Sequence, residues 1–162
     1  MIQTRHAKEE DLPEILDIYN QGIHDRIATL DTDEKDMPMM EAWFREREET
    51  SPVVIAEKQD TIVGWASLLP FSSRYVYRKV ATLSVYVTRQ ERGNGIGKLL
   101  LSAIEAAAKD AALHKIVLFS LPSNKQGHRL YASAGYREVG VMKEQGMMDG
   151  EYIDIVVMEK II

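Results

Sequence analysis

The chain has 162 residues, which is enough for one domain with a complete hydrophobic core, so we expect a single domain over residues 1–162. Its 25 acidic and 20 basic side chains give a net charge of −5, which argues against a general affinity for nucleic acid phosphates. Cysteine is absent, which excludes disulfides and thiolate nucleophiles, and neither a signal peptide nor 18 consecutive apolar residues can be recognised, so we expect a cytoplasmic protein without a membrane span.

The hydrophobic pattern predicts strands and helices along the whole chain. In order they are a strand at 2–6, helices at 12–24 and 37–49, a hairpin of strands at 53–58 and 61–69, a strand at 80–88, a helix at 95–112, a strand at 115–120, a helix that ends near 134, and strands at 136–143 and 152–160. Asp11 is the expected N-cap of the first helix, with Glu14 three residues on. The turn-rich segment 146–150 is expected to separate the last two strands.

The order of these elements predicts the sheet. A strand–helix–strand connection joins residues 80–88 to residues 115–120, and such a crossover predicts two neighbouring parallel strands. The hairpins on either side of it predict antiparallel neighbours. We therefore expect an α/β fold with a mixed, mostly antiparallel sheet and helices on both faces.

The loop between strand 80–88 and the following helix carries the clearest functional pattern. It reads Arg89-Gln90-Glu91-Arg92-Gly93-Asn94-Gly95-Ile96-Gly97-Lys98, with glycines at three alternate positions. Glycines let backbone N–H groups approach a ligand closely, and the N-terminus of a helix adds unsatisfied N–H donors and a positive dipole end. Arg92 and Lys98 can add formal positive charge. The segment therefore predicts a cradle for a pyrophosphate, and a glycine-rich turn without a ligand is the alternative.

The spacing of the loop separates it from two other nucleotide-binding loops. A P-loop requires glycine where Arg92 stands, and a dinucleotide fingerprint requires its third glycine one residue after Gly97. Gln90, Gly93 and Gly95 instead match the pattern Gln/Arg-x-x-Gly-x-Gly/Ala between a strand and a helix. This pattern resembles the acetyl-CoA loop of the GCN5-related N-acetyltransferases.

The resemblance covers nearly the whole chain and points to the phosphinothricin and arsinothricin acetyltransferase branch. The matching segments are Tyr19–Ile23, Arg26–Thr29, Gly64–Ala66, Ser84–Val87, Asn124, Leu130, Gly135-Tyr136 and Tyr152–Ile155. Members of this branch acetylate the α-amine of small amino-acid-like compounds such as phosphinothricin, methionine sulfoximine and methionine sulfone. The resemblance implies acetyl-CoA as co-substrate, direct attack of the amine in a ternary complex, and a homodimer.

The resemblance also implies where acetyl-CoA binds. Strand 80–88 would splay from its parallel neighbour, and the pantetheine arm would pair with its exposed backbone. The implied cofactor residues are Val85, Tyr86, Val87, Arg92, Gly93, Asn94, Gly95, Ile96, Gly97, Lys98, Asn124 and Ser133. The backbone N–H of Val85 would polarise the thioester carbonyl. Core packing is the alternative for Val85 and Val87, and a helix N-cap is the alternative for Asn124.

Two residues carry the implied chemistry. Tyr131 would protonate the departing thiolate, as a tyrosine does in many members of the superfamily, although the phosphinothricin enzymes carry histidine there; a half-buried aromatic packing residue is the alternative. Thr82 stands where those enzymes usually have a glutamate that acts as general base, and threonine cannot accept a proton at neutral pH. Other acceptors in the chain are Asp154, Glu151 and His24, and the sequence singles out none of them.

The implied substrate residues are Arg74 and Tyr77, in the register of the branch's Arg-x-x-Tyr, together with Arg26 and Thr29. An arginine can bind a substrate carboxylate through two parallel hydrogen bonds, and a solvated loop arginine is the alternative for Arg74. The four histidines show no metal-ligand spacing, so no metal is expected.

Two other functions remain open from the sequence. A protein acetyltransferase acting on N-termini or lysines would need an open peptide groove, whereas Tyr77 and the loop at 70–79 favour a closed pocket. A non-catalytic acyl-CoA-binding domain is favoured only by the threonine at position 82.

Overall fold

Seven strands form one mixed sheet in the computed structural model, which describes all 162 residues. They are β1 (Ile2–His6), β2 (Val53–Lys58), β3 (Thr61–Pro70), β4 (Val80–Val87), β5 (Lys115–Ser120), β6 (Arg137–Met148) and β7 (Glu151–Ile161). Their order across the sheet is β1-β2-β3-β4-β5-β7-β6. Only β4 and β5 are parallel, so the mixed, mostly antiparallel sheet predicted from the sequence is confirmed.

Four α-helices cover the two faces of this sheet: α1 (Leu12–Asp25), α2 (Met37–Arg45), α3 (Ile96–Asp110) and α4 (Lys125–Ser133). Helices α1 and α2 bury Ile15 and Met40 against one face, where Trp65 of β3 is fully buried. Helices α3 and α4 bury Leu100 and Tyr131 against the other face. Strands alternate their side chains between the two faces, so the sheet supplies both hydrophobic clusters, and helices on both faces are confirmed.

The N-terminus of α1 differs from the prediction. Asp11 occupies the N-cap position, as predicted, but its side chain makes no capping hydrogen bond to the helix. Its carboxylate instead accepts hydrogen bonds from the Arg5 guanidinium, at 2.7 and 2.9 Å, and from the backbone N–H of Lys8 at 2.7 Å. Glu14 accepts from the backbone N–H of Ile62 at 2.9 Å and ties α1 to β3. Both carboxylates serve tertiary contacts that a local pattern does not reveal.

The last hairpin is longer than predicted. Gly146 pairs with Ile153 inside the sheet, so the turn is confined to Asp149 and Gly150, whose φ values are 51° and 83°. Register shifts around Gly140 and after Met142 absorb the extra residues of β6. The predicted turn over 146–150 is therefore wrong at its first positions.

The parallel pairing of β4 with β5 is short. Residues 80–82 pair with residues 115–117, and β4 then continues for five residues without pairing to β5. The two strands therefore diverge towards their C-terminal ends. This divergence is the splay that the sequence resemblance implies.

Candidate active site

A groove of about 350 Å³ opens where β4 and β5 diverge, between the N-terminus of α3 and α4. Most of the predicted cofactor residues line it, namely Val85, Val87, Arg92, Gly93, Gly95, Ile96, Gly97, Lys98 and Asn124. Three others lie outside it. Asn94 donates to Glu91 at 3.2 Å, Ser133 donates to the carbonyl of Leu130 at 2.7 Å on the exposed side of α4, and the buried ring of Tyr86 packs in the cluster under α1.

The start of α3 forms the floor of the groove. Gly95 is the N-cap of α3 with a φ of 82°, a conformation that side chains with a β-carbon rarely adopt. A β-carbon at Gly95 would meet no atom within 4 Å, so the space above this backbone is open. The unsatisfied N–H groups of the first helical turn and the positive end of the helix dipole make this position suitable for a pyrophosphate.

The charges of the groove are partly neutralised by a residue that the sequence did not indicate. Asp25, the last residue of α1, pairs with Arg92 at 2.6 Å and with Arg89 at 2.8 Å. Hydrogen bonds from Arg89 and then Arg92 hold the pKa of Asp25 below its usual value. Arg92 also donates to the carbonyl of Val87 at 3.1 Å. Lys98 makes no ion pair and faces the groove as its free cation on α3.

The register of β4 identifies the backbone groups that face the divergence. The carbonyl of Val80 accepts from Phe71, and the N–H of Thr88 donates to Val63, so even-numbered residues of β4 bond towards β3. Residues at odd positions then point their N–H and carbonyl groups towards β5. Val85 and Val87 lie beyond the last residue pair with β5, so their backbone groups face the groove.

Asn124 caps α4, as one of the two interpretations made from the sequence predicts. Its side-chain oxygen accepts from the N–H of Gly127 at 3.0 Å, which is an N-cap of α4. Its amide nitrogen makes no hydrogen bond within the chain, and the residue lines the groove. A β-carbon at Gly127 would lie 2.5 Å from that nitrogen, so glycine is required beside it.

A second cavity of about 200 Å³ adjoins the groove. Four residues line both spaces: Ala28, Val85, Asn124 and Tyr131. The remaining wall combines aromatic rings with hydroxyl groups, contributed by Tyr19, Trp43, Trp65, Tyr86, Ser67, Thr82, Ser84 and Ser120. Asp31 is the one charged side chain that lines this cavity. The reacting groups of two substrates can therefore meet at Val85 and Tyr131.

The phenol of Tyr131 lies at this junction. The ring is 8% exposed and packs edge-on against Tyr136, with 5.9 Å between ring centroids. Burial, followed by the neighbouring Tyr86, raises the pKa of Tyr131 above its ordinary value, so the phenol is protonated at neutral pH. No group of the chain hydrogen-bonds to its hydroxyl, which leaves the O–H available to a ligand.

Thr82 lines the second cavity, but the three acceptors named from the sequence do not. Asp154 accepts from Lys143 at 3.1 Å on the last hairpin, and the His24 ring pairs with Glu34 on the surface. Glu151 is exposed at the start of β7. Thr82 therefore shares its cavity with hydroxyl groups and Asp31. None of the three acceptors named from the sequence lines that cavity.

The predicted substrate residues occupy different places. Thr29 lines the second cavity. The guanidinium of Arg26 donates to Asp149 and to the backbone carbonyls of Ile23 and Thr32, so its donors are engaged. Arg74 and Tyr77 lie on the exposed loop between β3 and β4, outside the cavity wall. Tyr77 reaches that wall only through Phe71, whose ring packs on Phe119.

No three His, Asp or Glu side chains converge in an arrangement that could hold a metal ion. None of the helices is both long and apolar enough to cross a membrane.

Comparisons with known proteins agree on the class of protein. The acetyltransferase (GNAT) family profile matches residues 13–136. A phosphinothricin N-acetyltransferase of Streptomyces coelicolor is 30% identical over 98% of this chain and 95% of its own length. A phosphinothricin acetyltransferase of Sinorhizobium meliloti, solved in complex with acetyl-CoA, is 25% identical, with a TM-score of 0.91 over 99% of this chain and 88% of that one. A ribosomal-protein-alanine N-acetyltransferase of Brucella melitensis is 33% identical, with a TM-score of 0.94 over 99% of both chains.

The family profile and the full-length relatives thus define the class of protein as an acetyl-CoA-dependent acyltransferase. The chain belongs to the acetyltransferase (GNAT) family. It is an N-acetyltransferase that uses acetyl-CoA as its co-substrate, and the resemblance found in the sequence is confirmed.

Proposed function

We propose that this enzyme acetylates the α-amine of a small amino-acid-like compound of the phosphinothricin, methionine sulfoximine or methionine sulfone type. The observation that carries the proposal is the second cavity, which joins the acetyl-CoA groove at Val85, Asn124 and Tyr131. Its volume of about 200 Å³ matches a single small molecule rather than a length of peptide. The 30% identity to a phosphinothricin N-acetyltransferase over nearly the whole chain supports the same substrate class.

In this proposal the acetyl group lies at the junction of the two spaces. The N–H of Val85 faces the groove and donates to the thioester carbonyl, which stabilises the oxyanion that develops during attack. The amine attacks directly in the ternary complex, and the thiolate that leaves takes the Tyr131 proton. Fixing both reactants across one junction recovers much of the entropy cost of bringing them together.

The ammonium form of the substrate has a partner in Asp31. The Asp31 carboxylate accepts from the hydroxyls of Tyr19 and Thr29, the Nζ atom of Lys35 lies 3.9 Å away, and the residue lines the cavity. The substrate carboxylate is assigned to Arg74, whose guanidinium makes no ion pair within the chain. Arg74 lies on the loop that continues from Leu69, which lines the cavity.

The experiment that tests this function is a panel assay of CoA release. Phosphinothricin, methionine sulfoximine, methionine sulfone and common amino acids are compared at equal concentration with purified enzyme and acetyl-CoA. We expect the first three compounds to give the highest kcat/KM. If every compound of the panel stays at the rate without added amine, the proposed substrate class is wrong.

A second candidate is acetylation of protein N-termini. It is favoured by the 33% identity to a ribosomal-protein-alanine N-acetyltransferase. A short peptide that begins with alanine belongs in the same panel, because a cavity of about 200 Å³ should accept it less well than a free amino acid. Faster acetylation of this peptide than of free amino acids would favour the second candidate.

We also propose that the enzyme is a homodimer. Strand β6 forms one edge of the sheet, and the last hairpin leaves Val141, Met147 and Tyr152 exposed. An edge strand that exposes apolar side chains is normally covered. Light scattering should give twice the chain mass of 18.4 kDa.

A further inference from the structure

A serine and a histidine form a pair behind the wall of the second cavity. Ser120, the last residue of β5, is 7% exposed and lines the cavity. Its Oγ atom lies 2.6 Å from Nε2 of His128, and no other hydrogen bond of this hydroxyl is present. His128 lies on α4 between Asn124 and Tyr131, at positions that share one helix face. The imidazole is half-buried and lies outside the lining of either cavity.

The reaction needs a proton acceptor on this side of the cavity. The substrate amine is mostly protonated at neutral pH, and the attacking nitrogen releases another proton once the C–N bond has formed. The Thr82 hydroxyl is not basic enough to take either proton. Asp31 also lines the cavity, but its carboxylate already accepts from the hydroxyls of Tyr19 and Thr29, and the Nζ atom of Lys35 lies 3.9 Å away.

We propose that Ser120 and His128 form a proton relay from the substrate amine to solvent. This inference rests on the proposed N-acetylation of a small amine. With the His128 proton on Nδ1, Ser120 donates to Nε2 and its oxygen is free to accept from the amine. An imidazole can accept a proton at one nitrogen and release one from the other, and the half-buried ring can pass its proton to water.

The relay balances the transfer. The amine nitrogen forms a bond to the carbonyl carbon while the C–S bond breaks and its electron pair goes to sulfur. The ammonium first loses one proton through Ser120 and His128 to water, and the attacking nitrogen loses a second by the same path once the C–N bond has formed. Each time the proton moves to Ser120 as the serine proton moves to His128, and the imidazolium then releases it to water. The thiolate takes the Tyr131 proton, which is replaced from solvent. Ser120 contacts the substrate directly, whereas His128 acts through Ser120.

Steady-state kinetics of Ser120→Ala and His128→Gln test the relay, with the best amine of the panel. We expect each variant to lower kcat about 10²-fold and to leave the KM for acetyl-CoA within about twofold. The double variant should lose no more than either single one, because both residues serve the same step. His114→Gln is the matched control, since His114 is exposed at the opposite end of β5 and should keep full activity.

A carboxylate introduced at position 82 distinguishes a proton relay from a purely structural contact between β5 and α4. Thr82→Glu would offer a second acceptor in the same cavity, so His128→Gln should cost less than about threefold in that background. A loss of the same size in both backgrounds would overturn the relay. So would kcat values within threefold of the parent in a folded His128→Gln protein.

Two further measurements test the relay separately from the proposed substrate class. Thermal melts and acetyl-CoA calorimetry show whether α4 is displaced, and a drop in both that matches the loss of kcat would assign the pair to stability alone. If no amine of the panel is acetylated, the slow transfer of acetyl to water is measured on the same variants. Attack by water also releases a proton, so the relay predicts the same order of rates.

Discussion

Tyr131 is held in surroundings that favour its neutral form. Burial raises the pKa of its phenol, so the group keeps its proton at pH 7 and carries it when the thiolate departs. Tyr131→Phe removes this donor without changing the size of the ring. We expect kcat to fall about 10²-fold while the KM for acetyl-CoA changes little, as measured by steady-state kinetics. Tyr152→Phe, at an exposed position, is the control, and a Tyr131→Phe rate within threefold of the parent would assign Tyr131 to packing.

Thr82 is the position where this chain departs from the phosphinothricin enzymes. It is half-buried on β4 and lines the second cavity, so a carboxylate there would face the amine from a rigid strand. Thr82→Glu should raise kcat/KM towards amino-acid-like amines and shift its pH profile to lower pH. The competing cost is burial of a charge, which raises the carboxylate's pKa and weakens the fold. Melting curves control for that cost, and an unchanged profile in a folded variant would place Thr82 away from the amine.

Gly95 combines an unusual φ with open space above it. Gly95→Val should weaken acetyl-CoA binding at least tenfold, because the side chain would fill the space that the pyrophosphate needs and would strain the helix N-cap. Calorimetry gives the affinity of both proteins. Gly150→Val is a matched control, since Gly150 has a φ of 83° and equally open surroundings in a distant turn. Equal losses of acetyl-CoA affinity in the two variants would mean that backbone strain, and not the filled space at Gly95, weakens binding.

At the scale of elements, the contact between β1 and the start of α1 depends on pH. The Arg5 guanidinium is the main cause that holds the pKa of Asp11 below the value near 3.9 of an unfolded chain. A lowered carboxyl pKa stabilises the fold above the unfolded value, and that stabilisation disappears as the pH falls through the folded value.

Asp11→Asn should therefore lower the free energy of unfolding by about 1–2 kcal/mol at pH 7 and by much less near pH 3. Urea unfolding at both pH values measures the difference. Asp110→Asn is the control, because Asp110 lies at the exposed end of α3 and makes no ion pair. A loss of equal size at the two pH values would mean that shape, and not charge, stabilises this contact.

Local patterns predicted most of the elements, and the two exceptions have different causes. Periodicity located the strands and helices to within a few residues, because burial of one face imposes it. The helical pattern could not show that Asp11 binds Arg5, since Arg5 lies on strand β1. It also ended β6 too early, because exposed polar residues of an edge strand resemble a turn.

At the scale of the whole molecule, the residues of the candidate site also fall into two groups, those that a local pattern reveals and those that it does not. The glycine loop, Asn124 and Tyr131 could be identified because their spacing along one helix or loop is itself the motif. Asp31 and Ser120 line the cavity, and His128 contacts Ser120 from behind. These three residues come from separate elements, and no common sequence pattern links them. Arg26 matched a pattern, but the fold engages its guanidinium with Asp149.

The short contact between β4 and β5 also leads us to expect that the molecule opens as two cooperative units. Strands β1 to β4 lie on one side of it and β5, β7 and β6 on the other, with three residue pairs between them. Opening at this boundary breaks few hydrogen bonds, so we expect the amides of β4 that face it to exchange with solvent faster than those of β3. Acetyl-CoA would bridge both units, and at a hundred times its Kd it would add about 2.7 kcal/mol to the free energy of unfolding. Hydrogen exchange with and without acetyl-CoA should show the largest protection at Val85 and Val87, and protection spread evenly over the chain would mean that the two units open together.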